Sequence, residues 1–249
     1  MSNAIAVIQA RTGSTRLPGK VMYPLDGQQT IAHVVDRVRS ANEVDETLVA
    51  TSTEPSDDVL EEYVPRFGAE VLRGSESNVL SRFERAVEQY DPDVVVRVTG
   101  DCPLVSPRFI DAIVDRIRTD DIDYVCAGLD RTFPRGVTCE AFTADSFDRV
   151  TKAAREPRHR EHVTPYYREH PEEFELYNFR SSALFDEEWL QNRTDLRLTL
   201  DEADDYHLLE TVYREIDYKG ILDVRDAIRY IDENGLATIN QDVEQKSVK

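Results

Sequence analysis

The residues best suited to chemistry crowd near the start of the chain. In the stretch IQARTGSTRLPGKVMYPL, residues 8–25, three cations stand within ten positions: Arg11, Arg16 and Lys20. They are threaded with Gly13, Ser14, Pro18 and Gly19. Arginine can fork onto phosphate oxygens, lysine acts there as a point charge, and glycines let backbone N–H groups approach an anion. Such a loop suits a ligand with several negative charges. Neither familiar phosphate loop matches it. A Walker A loop has four residues between its glycines and Ser or Thr after its lysine, whereas five residues separate Gly13 from Gly19 and Val21 follows Lys20. The dinucleotide pattern G-x-G-x-x-G is absent as well. A solvated loop whose arginines offset nearby acids is the plainer reading, and the crowding of Gly-Ser-Thr-Arg and Pro-Gly-Lys tells against it. As a loop lysine, Lys20 is expected to be exposed and to carry little stability.

Two aspartates extend the pattern. Asp101 follows the apolar run VVVRV and Gly100. A carboxylate beside a polyphosphate repels it unless a cation lies between, and Mg²⁺ takes one or two carboxylates plus substrate phosphate oxygens. An Asx-turn at a strand end accounts for Asp101 equally well. Asp201 follows LRLTL and opens DEADDYHLL. Taken alone it reads as a helix N-cap, supported by Asp204.

Positions 11, 20, 101 and 201 need a frame that brings them together. Near-continuous apolar runs predict buried strands at 4–8, 47–51, 69–72 and 94–98. Apolar residues at helical spacing predict the intervening helices: Ile31, Val34, Val35 and Val38; then Val59, Leu60, Tyr63 and Phe67. Val79, Leu80, Phe83, Val87 and Tyr90 mark a third, and Ser106-Pro107 starts a fourth through Ile110, Ile113, Val114 and Ile117. This alternation predicts a mainly parallel sheet sandwiched by helices. Ligands of open parallel sheets bind at the carboxyl ends of the strands, where the basic loop and Asp101 both emerge. Further strands are expected in TCEAFTA, EFELYNF and LRLTL, with helices over 144–154, 160–169, 204–216 and 224–233. The whole reads as one α/β domain over residues 1–240 with a mixed sheet, followed by a frayed tail at 241–249.

Composition bounds the function. The 249 residues suffice to bury ~70–75% of the unfolded chain's surface without staples. Cys102, Cys126 and Cys139 form no C-x-x-C pair, which predicts neither a disulfide framework nor a zinc site and fits a reducing cytoplasm. No run approaches the ~20 apolar residues of a membrane span, and the run Ala4–Ile8 is too short for a signal peptide. A soluble cytoplasmic protein without a membrane partner is expected. The net charge of −19 opposes non-specific nucleic-acid binding. Its acids are dispersed along the chain, and the only lysines are Lys20, Lys152, Lys219, Lys246 and Lys249. That pattern predicts a surface adapted to high salt, with an ordinary acidic protein as the bland alternative.

Taken together, IQARTGSTRLPGKV, RVTGDCPLVSP, FPRGVTCEAF, REHVTPYY and RLTLDEADDYHLL resemble the cytidylyltransferases of surface-sugar biosynthesis. The resemblance runs in order from about residue 5 to residue 215 and is strongest to the spore-coat polysaccharide type. Enzymes that activate acylneuraminate and 3-deoxy-manno-octulosonate are more distant. It implies a GT-A-like, three-layer α/β/α nucleotide-diphospho-sugar transferase fold, CTP as donor, Mg²⁺ as cofactor and a sugar or sugar-acid acceptor. On its terms Arg11 and Lys20 are the phosphate-binding, catalytic pair, with Ser14 and Arg16 in the same nucleotide loop. Asp101 and Asp201 fall on the two metal positions, and Asp101 also on the nucleotide site. Arg82, in SNVLSRF, falls on a nucleotide-contacting arginine.

Arg135 and Glu140 fall on the substrate side. There this chain reads Gly136-Val137-Thr138-Cys139-Glu140 where relatives often carry Gly-Leu-Asp, which leaves the acceptor open. His162 lies inside REHVTPYY, where catalysis and helix packing both remain open. The expected reaction is Mg²⁺-dependent transfer of CMP from CTP with release of pyrophosphate. The alternatives are a sugar-1-phosphate nucleotidyltransferase using another NTP and a nucleotide-binding regulator without catalysis. A glycosyltransferase on the same fold ranks below them, because Cys102 and Pro103 follow Asp101 where a D-x-D triplet would continue. Oligomeric state is open, a homodimer among the options.

Overall fold

A computed structural model describes residues 3–245. In chain order it runs β1 (Ala4–Gln9), β2 (Pro24–Leu25), β3 (Gln28–Gln29), α1 (Thr30–Arg39), β4 (Glu46–Ser52), α2 (Asp58–Tyr63), β5 (Glu70–Gly74) and α3 (Val79–Tyr90). There follow β6 (Val94–Thr99), α4 (Pro107–Thr119), β7 (Tyr124–Cys126), β8 (Glu140–Thr143) and α5 (Ala144–Ala153). The chain ends with α6 (Pro157–His162), α7 (Pro165–Glu169), β9 (Leu176–Asn178), α8 (Ala203–Glu215) and α9 (Val224–Glu233). Seven strands form one sheet in the order β5-β4-β1-β6-β8-β7-β9. β5, β4, β1 and β6 run parallel, β8 is antiparallel to β6 and β7, and β9 pairs parallel with β7. This is the mainly parallel mixed sheet that the sequence predicts.

The strand residues alternate between two cores, as a sheet covered on both faces requires. From β1, Ala4, Ala6 and Ile8 join α1, α4, α8 and α9 on one face. Ile5 and Val7 join α3, α5 and α7 on the other. Three layers result. The three cysteines are buried and free. Among the described residues no helix is long and apolar enough to cross a membrane.

Two expected elements differ. LRLTL adds no strand to the sheet; its ladder contact is an isolated bridge between Arg197 and Arg135. Leu196, Leu198 and Leu200 are buried as the alternation predicts, but they seal the sheet's end instead of extending it. The single helix expected over 160–169 is two short ones. Pro165 supplies no N–H for the Glu161 carbonyl and its ring would clash with that turn, so the helix cannot run through it; the chain turns at Val163, whose φ is +70°, and restarts with Pro165 in the first turn. A small hairpin, β2–β3, went unpredicted although Asp26-Gly27 signals one; both residues adopt positive φ, as a two-residue hairpin turn demands. Of the tail, residues 246–249 lie outside the described residues, while Gln245 accepts a hydrogen bond from Arg197 at 2.7 Å.

Candidate active site

The parallel strands β1 and β6 lie side by side and end level, Gln9 opposite Thr99. Their exits therefore emerge together. The basic loop leaves β1 and is fastened at Thr12, whose N–H and hydroxyl both donate to Asp57 Oδ1 at 2.7 Å. Burial would raise the Asp57 carboxyl, but the hydrogen bonds from Ser52 and Thr12 hold it below its usual range. The Gly19 N–H closes the loop onto the Thr12 carbonyl at 2.8 Å. From β6, Gly100 lets the second exit press on the first, since a Cβ there would stand 2.7 Å from Ala10 Cβ. A third segment is drawn in by the Asp101 carbonyl, which accepts from Leu200 N–H at 2.8 Å and from the Thr199 hydroxyl at 3.3 Å. This is the positional role of LRLTL: it delivers Asp201.

The three segments meet on one ammonium. Lys20 Nζ lies 2.6 Å from Asp101 Oδ2 and 2.8 Å from Asp201 Oδ1. Asp201 is further paired with Arg16 at 2.9 Å and with Arg197 at 2.5 Å. Burial alone would lower the Lys20 pKa, yet Asp101 and then Asp201 outweigh it and raise it. Burial likewise favours the neutral form of Asp201, and Lys20, Arg16 and Arg197 reverse this and hold its pKa down. Lys20 is only 8% exposed. The expectation of an exposed lysine fails, because the loop folds its side chain inward onto the two acids.

The helix-cap reading of Asp201 fails too. The N-cap of α8 is Glu202, in a capping box with Asp205. Asp205 Oδ2 accepts from the N–H groups of both Asp201 and Glu202, at 2.9 and 3.0 Å. That leaves the Asp201 carboxylate free to face the cations. Two carboxylates already converge on a buried cation, and both are hard oxygen donors. The pair therefore fits Mg²⁺, which is held through one or two carboxylates.

A cavity of about 320 Å³ is lined by Arg11, Ser14, Arg16, Lys20, Arg82, Asp101 and Asp201. All the nucleotide and metal positions read from the sequence thus border one space. Arg11 stands at its rim, 3.3 Å from Glu76 and half exposed. Arg82 is 1% exposed, and its guanidinium donates to the carbonyls of Ser75, Glu76 and Ala50. It is a rigid wall that fixes the turn at 75–76.

An adjoining cavity of about 560 Å³ holds Arg135 and Glu140. Gly136, at φ +88°, lets this segment lie against Leu198, whose carbonyl a Cβ would approach to 2.4 Å. Among the described residues no hydrogen bond or ion pair engages the Arg135 guanidinium, and burial followed by its neighbours Arg131 and Arg197 lowers its pKa. Glu140 is fully committed: it pairs with Arg97 and Arg168 and accepts from the hydroxyls of Tyr124 at 2.5 Å and Thr164 at 3.0 Å. Burial would raise its pKa, but Arg97 and Arg168 bring it down to about 2. Its effect on the cavity is to present those two arginines.

Sequence reasoning missed Arg97, Arg197 and Asp57. A lone arginine inside the buried run VVVRV, and an arginine four residues before Asp201, were the available signals. Asp57 had none, since its partner Thr12 is 45 positions away.

A basic loop and two acids at the carboxyl edge of a largely parallel, three-layer sheet define a nucleotidyltransferase-type enzyme site. The chain belongs to the cytidylyltransferase family, which it matches over residues 5–231. It is 36% identical over 246 residues to an uncharacterized protein of Methanocaldococcus jannaschii, covering 98% of this chain and 97% of that one. It is 31% identical over 239 residues to the spore coat polysaccharide biosynthesis protein SpsF of Bacillus subtilis, covering 94% and 96%. A solved cytidylyltransferase from Leptospira borgpetersenii superposes with a TM-score of 0.88 at 29% identity, over 99% of this chain and 100% of that one.

Proposed function

We propose that the chain transfers CMP from CTP to a sugar or sugar acid in surface-glycan synthesis, releasing pyrophosphate. The observation that carries this reading is the convergence of Asp101, Asp201 and the basic loop on Lys20 at one end of the 320 Å³ cavity. CTP would occupy that cavity and the acceptor the 560 Å³ cavity beside it. An acceptor hydroxyl or phosphate oxygen attacks the α-phosphorus as the bond to the β-phosphate breaks. Arg11 and Lys20 hold the β- and γ-phosphates and stabilise the leaving pyrophosphate, with Ser14 and Arg16 completing the loop. Mg²⁺, held by Asp101 and Asp201, would supply positive charge against the phosphates. The chain's own contribution is positioning and charge neutralisation in a partly dry site. Arg82 walls the nucleotide side, and the unpaired Arg135 guanidinium binds an anionic group of the acceptor, steadied by Arg97 and Arg168 on Glu140. The surface is adapted to a salty cytoplasm.

The test is pyrophosphate release from each of the four NTPs with Mg²⁺ against a panel of sugar acids and sugar phosphates. CTP alone should support turnover. Turnover with another NTP would establish the sugar-1-phosphate alternative, and none with any pair would establish a binding protein.

A further inference from the structure

Six residues line both cavities: Gln9, Arg16, Thr99, Asp101, His162 and Asp201. Five belong to the strand exits or the charged cluster already described. His162 comes from elsewhere, the end of α6. Its backbone setting is unusual. Val163 has φ +70° and ψ −54°, and the Thr164 N–H donates to the His162 carbonyl at 2.8 Å. Together these define a γ-turn of the rare, strained hand, at a β-branched residue for which positive φ is an outlier. Strain of this kind persists only where the surroundings over-determine it, and it clusters at active sites and ligand clamps. Here the surroundings do so: Val163 is wholly buried, and the Thr164 hydroxyl donates to Glu140 Oε2 at 3.0 Å. The turn keeps the ring of His162 at the junction.

Among the described residues no hydrogen bond or ion pair engages the imidazole. Burial, then Arg97 and Arg11, lower its pKa against an opposing pull from Glu161. These shift the ring toward its neutral form, which has one N–H to donate.

We propose that His162 is a direct ligand of the α-phosphate, donating to it where the nucleotide and acceptor cavities meet. The inference rests on the nucleotide reading above: with CTP in one cavity and the acceptor in the other, the α-phosphate is the group shared at the junction. Lys20, Arg11 and Arg16 supply charge at the phosphates, whereas His162 supplies a directed, uncharged donor from the opposite element.

CMP and cytidine isolate the α-phosphate as probes, titrated calorimetrically with Mg²⁺ into wild type, His162→Ala and His162→Asn. Wild type should bind CMP more tightly than cytidine. Both variants should lose about tenfold in CMP affinity, the effect of one hydrogen bond to a charged group, with cytidine affinity unchanged. In histidine-labelled NMR spectra the imidazole signal missing from His162→Asn should move with CMP and not with cytidine. CMP affinity within twofold of wild type in both variants, or a stationary signal, overturns the proposal while leaving the nucleotide reading intact. Failure of wild type to prefer CMP over cytidine overturns the nucleotide reading and this inference with it.

Discussion

Lys20 and Asp101, 81 positions apart in sequence, form an ion pair of 2.6 Å at the point where the exits of two adjacent parallel strands touch. The same ammonium reaches Asp201 at 2.8 Å. Lys20 thus serves as a structural counter-ion for two acids, and in the proposed function it is also the cation offered to phosphate.

That double role predicts the behaviour of Lys20→Ala. Breaking a buried ion pair by removing one partner costs about 3–5 kcal/mol. The lower end applies here, because Arg16 and Arg197 stay on Asp201. The melting temperature should fall, and Mg²⁺ should restore part of it by replacing the lost cation between the acids. Thermal melts with and without Mg²⁺ check this; a variant that melts like wild type without metal would contradict the buried bridge.

Asp201→Asn separates charge from capping. Glu202 and Asp205 cap α8 without the Asp201 side chain, so the helix should stay intact by circular dichroism. Mg²⁺-dependent turnover should be lost, since the amide offers a poorer ligand to a hard cation. Retained turnover would remove Asp201 from the metal site.

The buried cluster around Glu140 predicts an acid limit. Its pKa is about 2 in the folded protein against 4.5 in its absence. A depressed carboxylate contributes stability above its unfolded pKa and loses it as pH falls through the folded one. On the order of 3 kcal/mol should therefore disappear between pH 4.5 and 2. Glu140→Gln should be destabilised at pH 7, because Arg97 and Arg168 lose their partner, and its stability should depend less on pH in that window. Urea melts from pH 7 to 2 measure both; equal slopes would refute the assignment.

Much of this organisation is legible in the sequence, for identifiable reasons. The parallel strands β1, β4 and β6 show as apolar runs because helices cover both faces. Arg11, Lys20 and Asp101 show because charge and glycine are compressed into short loops that follow strands. What is not legible depends on distant partners. The burial of Lys20 is set by acids 81 and 181 positions away. The release of Asp201 from capping depends on Glu202 and Asp205 satisfying α8 themselves. The break at Val163 follows from Pro165 two residues on and is held by Glu140, which accepts from the Thr164 hydroxyl 24 positions away. LRLTL has a strand's alternation yet spends its backbone on Asp101 and Arg135.

Salt tests the surface. Repulsion among the excess acids of a chain at −19 acts over a Debye length of ~30 Å at 0.01 M salt and ~3 Å at 1 M. Raising KCl from 0.05 to 3 M (about the span from weak to full screening) should raise the melting temperature and preserve turnover. Stability and rate that both peak at low salt would refute a salt-adapted surface.

The most direct measurement is calorimetric binding of CTP, UTP, ATP and GTP with Mg²⁺ to wild type and to Lys20→Ala. If the basic loop holds a cytidine triphosphate, CTP alone should saturate wild type. Its affinity should then fall about a hundredfold or more in the variant, the scale of ~2.7–4 kcal/mol for one charge-stabilising donor. Equal CTP affinity in the two proteins, or no CTP binding to wild type, would contradict it.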